Sequence, residues 1–261
     1  MSPRTAEEPQ QGGVCFRCRC LDVALATQRG PRPVLSGLGL EIANSEFVSI
    51  VGRSGSGKTT LLRVLGGLLT PDSCSTVHYR GAPVDGPPDG VVMVFQDYSA
   101  SLLPWRTAEK NVALGLEGRG VPARKRRERV AEALEMVGLA DRAGDRPWRL
   151  SGGMQQRIQI ARALAMQPSV LLMDEPFGAL EDELLGVYGR TGATVVFVTH
   201  DIDEAVYLSD RVVVLRGPPA TAAADIRVGC PRPRDQLETK ESDAFLEARH
   251  AVYEAIGGLY P

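Results

Sequence analysis

Gly52-Arg53-Ser54-Gly55-Ser56-Gly57-Lys58-Thr59 constrains the fold more than any other stretch, because it joins a strand-like run to a helix-like one. Glu46–Val51 reads as a short apolar strand. Thr59–Leu69 reads as a helix with Leu61, Leu62, Leu65, Leu68 and Leu69 on its buried side, closed by Pro71 and Asp72. A glycine-rich turn between a strand and a helix cradles phosphate, since its backbone N–H groups point inward at the positive end of the helix dipole. The four specified positions of G-x4-G-K-[ST] match by accident in roughly one random chain of this length per hundred. The strand and helix on either side reduce that chance further. Gly55 and Gly57 let the backbone wrap a β-phosphate without a Cβ in the way. Lys58 is placed to neutralise β- and γ-oxygens, and the Thr59 hydroxyl to ligate Mg²⁺. Gly52, Arg53, Ser54, Ser56 and Thr60 complete the expected nucleotide-binding set.

Beyond this loop the chain alternates strand-like and helix-like segments, the pattern of an α/β fold with a mostly parallel sheet covered by helices. Gly90–Phe95, Val170–Met173, Thr194–Val198 and Arg211–Leu215 are the other β-rich runs. Pro122–Val137 predicts a helix with Val130, Leu134 and Val137 as its apolar stripe. The stretch from Gln96 to Gly152 is mostly helical and predicts a helical subdomain, about residues 97–160, inserted between strand-bearing halves. The expected organisation is a disordered tail over 1–13, a main domain over 14–225 and a C-terminal extension over 226–261. Past Gly217 the chain turns rich in Pro and Arg, then forms a last helix near Ser242–Ile256.

A second anion-binding device lies downstream. Leu150-Ser151-Gly152-Gly153-Met154-Gln155-Gln156-Arg157 places a Ser-Gly-Gly turn at the start of a helix, where unpaired N–H groups and the dipole favour negative charge. One nucleotide loop and one spare γ-phosphate reader (Ser151, Gly152 and Gly153) point to two chains sharing two nucleotides. Val170-Leu171-Leu172-Met173-Asp174-Glu175 carries Asp174 to the carboxyl edge of a buried parallel strand, where α/β folds bind ligands. Asp174 is expected to hold Mg²⁺ through water, and Glu175 to polarise the attacking water as general base. Gln96 follows one strand and can reach Mg²⁺ or the water. His200 follows another and can reach the γ-phosphate.

The bulk composition excludes some classes. A formal net charge of −2 gives no electrostatic reason to expect nucleic acid. The basic run Arg124–Arg127 sits on one helix face diluted by Glu128, Glu132 and Glu135, so it reads as a solvated face. The longest run of Val, Leu, Ile, Met and Phe is Val91–Phe95, against roughly 18 residues for a membrane span. Met1–Gly13 has no apolar core for a signal peptide, so a cytoplasmic chain is expected. Cys15, Cys18 and Cys20 form C-x2-C-x-C without an adjacent fourth ligand. A strand over Val14–Leu25 accounts for them better than zinc does, with Cys18 and Cys20 on one face and Cys15 on the other.

In this order the motifs resemble those of the ATP-binding-cassette (ABC) ATPases, over about Val14 to Ile256. Finer wording is similar to the nitrate/sulfonate/taurine-type importer ATPases: Val94-Phe95-Gln96-Asp97-Tyr98, Leu103-Pro104-Trp105-Arg106, Phe177-Gly178-Ala179-Leu180, Thr199-His200-Asp201-Ile202-Asp203-Glu204-Ala205 and Pro231-Arg232-Pro233-Arg234-Asp235. The resemblance implies a P-loop core with an added antiparallel β subdomain, ATP and Mg²⁺ as ligands, and catalytic roles for Glu175, His200 and Gln96. It implies a head-to-tail homodimer, or a heterodimer with a second such ATPase, at the cytoplasmic face of the membrane. Gln96–Trp105 would touch an integral-membrane permease, with a solute-binding protein as indirect partner.

Three features depart from the family pattern. Leu25-Ala26-Thr27-Gln28 lacks the aromatic residue on which adenine usually stacks. Glu181 stands where Asp usually follows Gly-Ala-Leu. Glu175 and His200 are 25 positions apart, shorter than usual by about eight residues, or about two helical turns. The helix between Leu180 and Gly192 must be short, with Leu184, Leu185, Val187 and Tyr188 to cover the sheet, and lower activity or stability is expected. The leading expectation is an importer's ATP-hydrolysing subunit. The alternative is a catalytically weakened or non-transport cassette that regulates or scaffolds.

Overall fold

The computed structural model describes residues 13–72, 75–96, 101–175 and 181–257. Two sheets share the work. Strands β1 (Val14–Thr27), β2 (Gly30–Ala43), β4 (Thr76–Tyr79) and β5 (Ala82–Pro83) form an antiparallel sheet in the order β2-β1-β4-β5. The second sheet runs β10-β9-β3-β8-β7-β6, built from β3 (Phe47–Gly52), β6 (Val91–Val94), β7 (Val170–Asp174), β8 (Thr194–Val198), β9 (Arg211–Arg216) and β10 (Thr221–Arg227). From β9 to β6 all its pairings are parallel, and β10 closes the edge antiparallel to β9.

The parallel strands are apolar on both faces, as strands covered twice must be. In β3, Phe47 and Val51 enter one core, and Val48 and Ile50 enter the other. Strands β7, β8 and β9 divide their residues the same way. One core is closed by α1 (Lys58–Leu65) and the antiparallel sheet. The other is closed by α2 (Ala108–Val112), α3 (Leu114–Gly118), α4 (Ala123–Met136), α5 (Gly152–Ala165), α6 (Glu181–Thr191), α7 (Ile202–Leu208) and α9 (Asp243–Ile256). Short α8 (Gln236–Glu241) precedes α9. Among the described residues, no helix is long and apolar enough to cross a membrane.

Several sequence expectations shift. Helix α1 stops at Leu65 rather than Leu69, because Gly66 and Gly67 follow and Gly67 takes a left-handed φ of 65°. Leu68 is consequently exposed instead of buried. The cysteine alternation also fails. Cys15 and Cys18 are both buried while Cys20 is exposed, since β1 slips register against β2 between Cys18 and Leu21 and Cys20 takes a φ of 47°. The stripe expected on α4 is present: Val130, Leu134 and Val137 are buried. Pro122 precedes α4 without a side-chain cap, whereas Ser242 caps α9 by accepting from the Phe245 N–H.

The expected short helix is α6. Leu184 is buried, Tyr188 packs edge-on to Phe47 at 5.4 Å between ring centroids, and the Val187 side chain lies outside the described residues. The Tyr188 hydroxyl shares its single proton between the Ser45 carbonyl, at 2.6 Å, and Asp210, at 3.0 Å. Arg232 from the C-terminal extension lies 4.5 Å above the Tyr188 ring, so that extension covers α6 from outside.

Candidate nucleotide site

The site is built where β3, β6, β7 and β8 end on one edge. Gly52, the last residue of β3, must be glycine for a steric reason: a Cβ there would lie 2.5 Å from the Leu215 carbonyl oxygen and 2.7 Å from Ser56 Oγ. Gly57 has a φ of 81° and presses against Leu35, where a Cβ would sit 2.8 Å from a methyl carbon. The turn is therefore wedged between β9 and β2 and cannot open outward.

Lys58 opens α1 and is only 6 % exposed. Its ammonium donates to the carbonyls of Gly52 at 2.8 Å and Arg53 at 3.2 Å, curling the loop around itself. Glu175 Oε1 lies 4.0 Å away. Burial pulls the Lys58 ammonium below its ordinary range, and the carboxylates of Glu175 and Asp174 oppose that shift. Burial likewise raises Asp174, against the hydroxyl of Thr59, which donates to Asp174 Oδ1 at 3.0 Å. Ser56 Oγ is buried with no hydrogen-bond partner among the described residues. A buried donor of that kind, beside an inward-facing lysine, suits an anion.

Glu175 gathers the remaining groups. Gln96 Nε2 donates to its Oε2 at 3.1 Å, and His200 Nδ1 lies 3.4 Å from its Oε1. Its backbone is left-handed, with φ 41°, a conformation that strains a non-glycine residue by about 1–3 kcal/mol. The Glu175 N–H donates to the Val198 carbonyl on β8 at 2.8 Å, which holds that turn. The structure thus places Gln96, Lys58, Thr59, Asp174, Glu175 and His200 around one point.

The cavity there measures about 460 Å³ and is lined by Ser54 through Thr60, Gln96 and Glu175. At its far end Leu25, Thr27, Arg32, Pro33, Val34 and Pro218 complete the wall. Among the described lining residues no aromatic ring is present, in keeping with the departure at Leu25–Gln28. Arg32, Pro33 and Pro218 went unnoticed in the sequence. They meet because Ala220 N donates to the Val34 carbonyl and Ser36 N to the Ala220 carbonyl, a long-range bridge without local signature.

Ser151, Gly152 and Gly153 do not line this cavity. Ser151 caps α5, its hydroxyl accepting from the Met154 N–H at 3.3 Å, and all three residues are exposed. Helix α5 is nevertheless tied to the site: buried Gln159 donates to the Phe95 carbonyl at 3.0 Å, next to Gln96. Asp97, Tyr98 and Phe177–Leu180, which carry part of the family wording, lie outside the described residues.

Comparison with known proteins gives the family. A family model described as ABC transporter matches residues 35–178. The nitrate import ATP-binding protein NrtD of Synechococcus elongatus is 38% identical, covering 99% of this chain and 95% of that protein. The aliphatic sulfonates import ATP-binding protein SsuB of Ralstonia nicotianae is 46% identical, covering 98% and 88%. A dimeric post-hydrolysis structure of the ATP-binding cassette MJ0796, bound to ADP and Pi, superposes with a TM-score of 0.71 at 31% identity, over 81% of this chain and 98% of that one. The chain belongs to the ABC transporter family, as one of its ATP-hydrolysing cassettes.

Proposed function

We propose that this cassette is the ATP-hydrolysing subunit of an importer for a small solute such as nitrate, a sulfonate or taurine. It works at the cytoplasmic face of the membrane against integral-membrane permease subunits, with a solute-binding protein upstream. The observation that carries the chemistry is the convergence of Gln96, Lys58 and His200 on Glu175 at the mouth of the phosphate cradle.

ATP is the substrate. Gly52–Thr60 enclose its phosphates, with Lys58 set against the terminal pair and the unpartnered Ser56 hydroxyl available to a phosphate oxygen. The Thr59 and Asp174 oxygens, 3.0 Å apart, suit a hard cation that takes its other ligands from phosphate and water. Held by those two oxygens, Mg²⁺ would supply positive charge against the phosphates. Glu175 accepts the proton of the attacking water, His200 orients that water and the γ-phosphate, and Gln96 reports the state of the site to its own loop.

Ser151, Gly152 and Gly153 lie outside the cradle of their own chain. They serve the nucleotide of a second copy, giving a head-to-tail pair with two shared nucleotides; the dimeric cassettes among the structural relatives support this reading. Trp105, 69 % exposed, ends the segment Gln96–Trp105 proposed to meet the permease, and exposed Phe95 immediately precedes it. A helical subdomain over about 97–160 and an extension from 226 flank the core.

Glu175→Gln tests the assignment. Hydrolysis is expected to slow by roughly 10²–10⁴-fold while ATP binding persists. Unchanged turnover in this variant removes Glu175 from the role of base.

A further inference from the structure

Helix α6 opens six positions after Glu175, and its first two residues are carboxylates. Both are held by the C-terminal extension. Glu181 Oε2 accepts from Gln236 Nε2 at 2.7 Å and from the Lys240 ammonium at 3.0 Å. Asp182 Oδ1 accepts from the Tyr207 hydroxyl at 2.8 Å and from the same Gln236 amide at 3.2 Å. The Lys240 ammonium also lies 4.9 Å from the centre of the Tyr207 ring.

Tyr207 belongs to α7, the helix that starts two residues after His200 and is capped by Asp201. The other end of α7 is held by the extension too. Arg234 Nη1 donates to the Tyr207 carbonyl at 2.6 Å, and Arg232 Nη2 donates to the Leu208 carbonyl at 2.7 Å. Two guanidinium groups thus satisfy carbonyls that a helix C-terminus leaves open, at its negative end.

Residues 232–240 therefore grip both elements that leave the Glu175–His200 pair: α6 downstream of Glu175 and α7 downstream of His200. The pair is separated by only 3.4 Å. With α6 short, its leading end is anchored by polar contacts from outside its own core. Among them only Lys240 brings a full positive charge to Glu181.

We infer that Lys240 and Gln236 are positioning residues for ATP hydrolysis. By fixing Glu181 and Asp182 against Tyr207, they set the approach of Glu175 to His200, and the C-terminal extension is part of the hydrolytic apparatus. This rests on the hydrolytic reading of Glu175 given above. The grip acts on the chemical step, so it governs kcat and leaves the phosphate cradle alone.

The test uses the full chain with Lys240→Met, Lys240→Arg and Glu175→Gln measured side by side for kcat, KM for ATP and thermal midpoint. Lys240→Met is expected to lower kcat roughly 10-fold, less than the about 10²-fold of a 1 Å displacement of a reacting group. Its KM stays within about two-fold of the parent, and Lys240→Arg recovers most of the rate. A purely structural role would lower the midpoint without that split. Should Lys240→Met fold poorly, Gln236→Leu carries the same expectation for kcat. Unchanged kcat in Lys240→Met, or Lys240→Arg as slow as Lys240→Met, overturns the inference. If Glu175→Gln still hydrolyses ATP at the parental rate, the underlying reading fails instead, whatever Lys240 does.

Discussion

Arg162 and Asn111 lock α5 to the turn carrying Trp105. Arg162 Nη2 donates to Asn111 Oδ1 at 2.9 Å and its Nε to the Asn111 carbonyl at 3.0 Å, while Nη1 reaches the Ser101 carbonyl at 2.8 Å. Asn111, wholly buried, accepts from the Leu103 N–H and donates to the carbonyls of Leu103, Arg106 and Thr107. One amide thereby folds the turn carrying Trp105 onto α5, linking the outer surface to the helix that begins at Gly152.

Asn111→Ala should be costly. It strips the Leu103 N–H and one Arg162 nitrogen of their acceptor and the Arg106 carbonyl of its amide donor, while the Leu103 and Thr107 carbonyls keep the backbone N–H groups of Arg106 and Asn111. Leaving such groups buried and unmatched destabilises by about 2–4 kcal/mol. A fall in urea midpoint of that size, with an unchanged slope, is the expected result. A midpoint within experimental error of the parent contradicts it.

Lys58→Ala removes the ammonium that the phosphate turn wraps. Turnover should drop by about 10²–10³-fold, on the scale of one lost electrostatic contact, and ATP affinity should weaken with it. Steady-state hydrolysis and equilibrium binding measured on the same preparation separate the two losses.

The Tyr188 hydroxyl ties α6 to Ser45 and Asp210. Burial first, and the neighbouring Asp210 second, push this phenol up to about 12, so it stays a donor throughout the usable pH range. Tyr188→Phe keeps the ring under Arg232 and loses both hydrogen bonds. A loss of about 1–2 kcal/mol in chemical denaturation is expected.

Glu204 gives stability a pH dependence. It is buried, it accepts from the Thr199 hydroxyl at 2.5 Å, and burial, reinforced by Asp201, Glu181 and Glu175, raises it from 4.5 to about 7. Between those values the folded chain keeps a proton that the unfolded chain has lost. The contribution is complete below 4.5 and is lost as pH rises to about 7, at most about 1.4 kcal/mol per pH unit and about 3 kcal/mol in all. Glu204→Gln should erase this slope. Unfolding free energies of parent and variant, compared at several pH values from about 4 to about 8, would expose a parallel pair of curves if the expectation is mistaken.

The parts readable in the sequence are those whose signal is local. Apolar runs ending in Gly52, Gln96, Glu175 and His200 placed these residues at one sheet edge, because parallel strands buried on both faces leave their polar residues at the ends. The Ser151 cap and the Val130–Val137 stripe were legible for the same reason. What stayed hidden depends on partners far along the chain. Nothing near Lys240 announces Glu181, and nothing near Pro218 announces Pro33. The slip at Cys18–Leu21 escaped because a bulge breaks the alternation on which strand reading relies. The early end of α1 at Gly66 was missed because the leucine period continued past the residue that stopped the helix.

In its proposed role as base, Glu175 with its left-handed backbone sets fitness for folding against fitness for chemistry at a single residue. Glycine or asparagine would occupy that turn with less tension, and selection for a robust fold alone would drift toward them. A carboxylate kept in such a posture records what the molecule has been tuned to do, at some expense to how firmly it holds together.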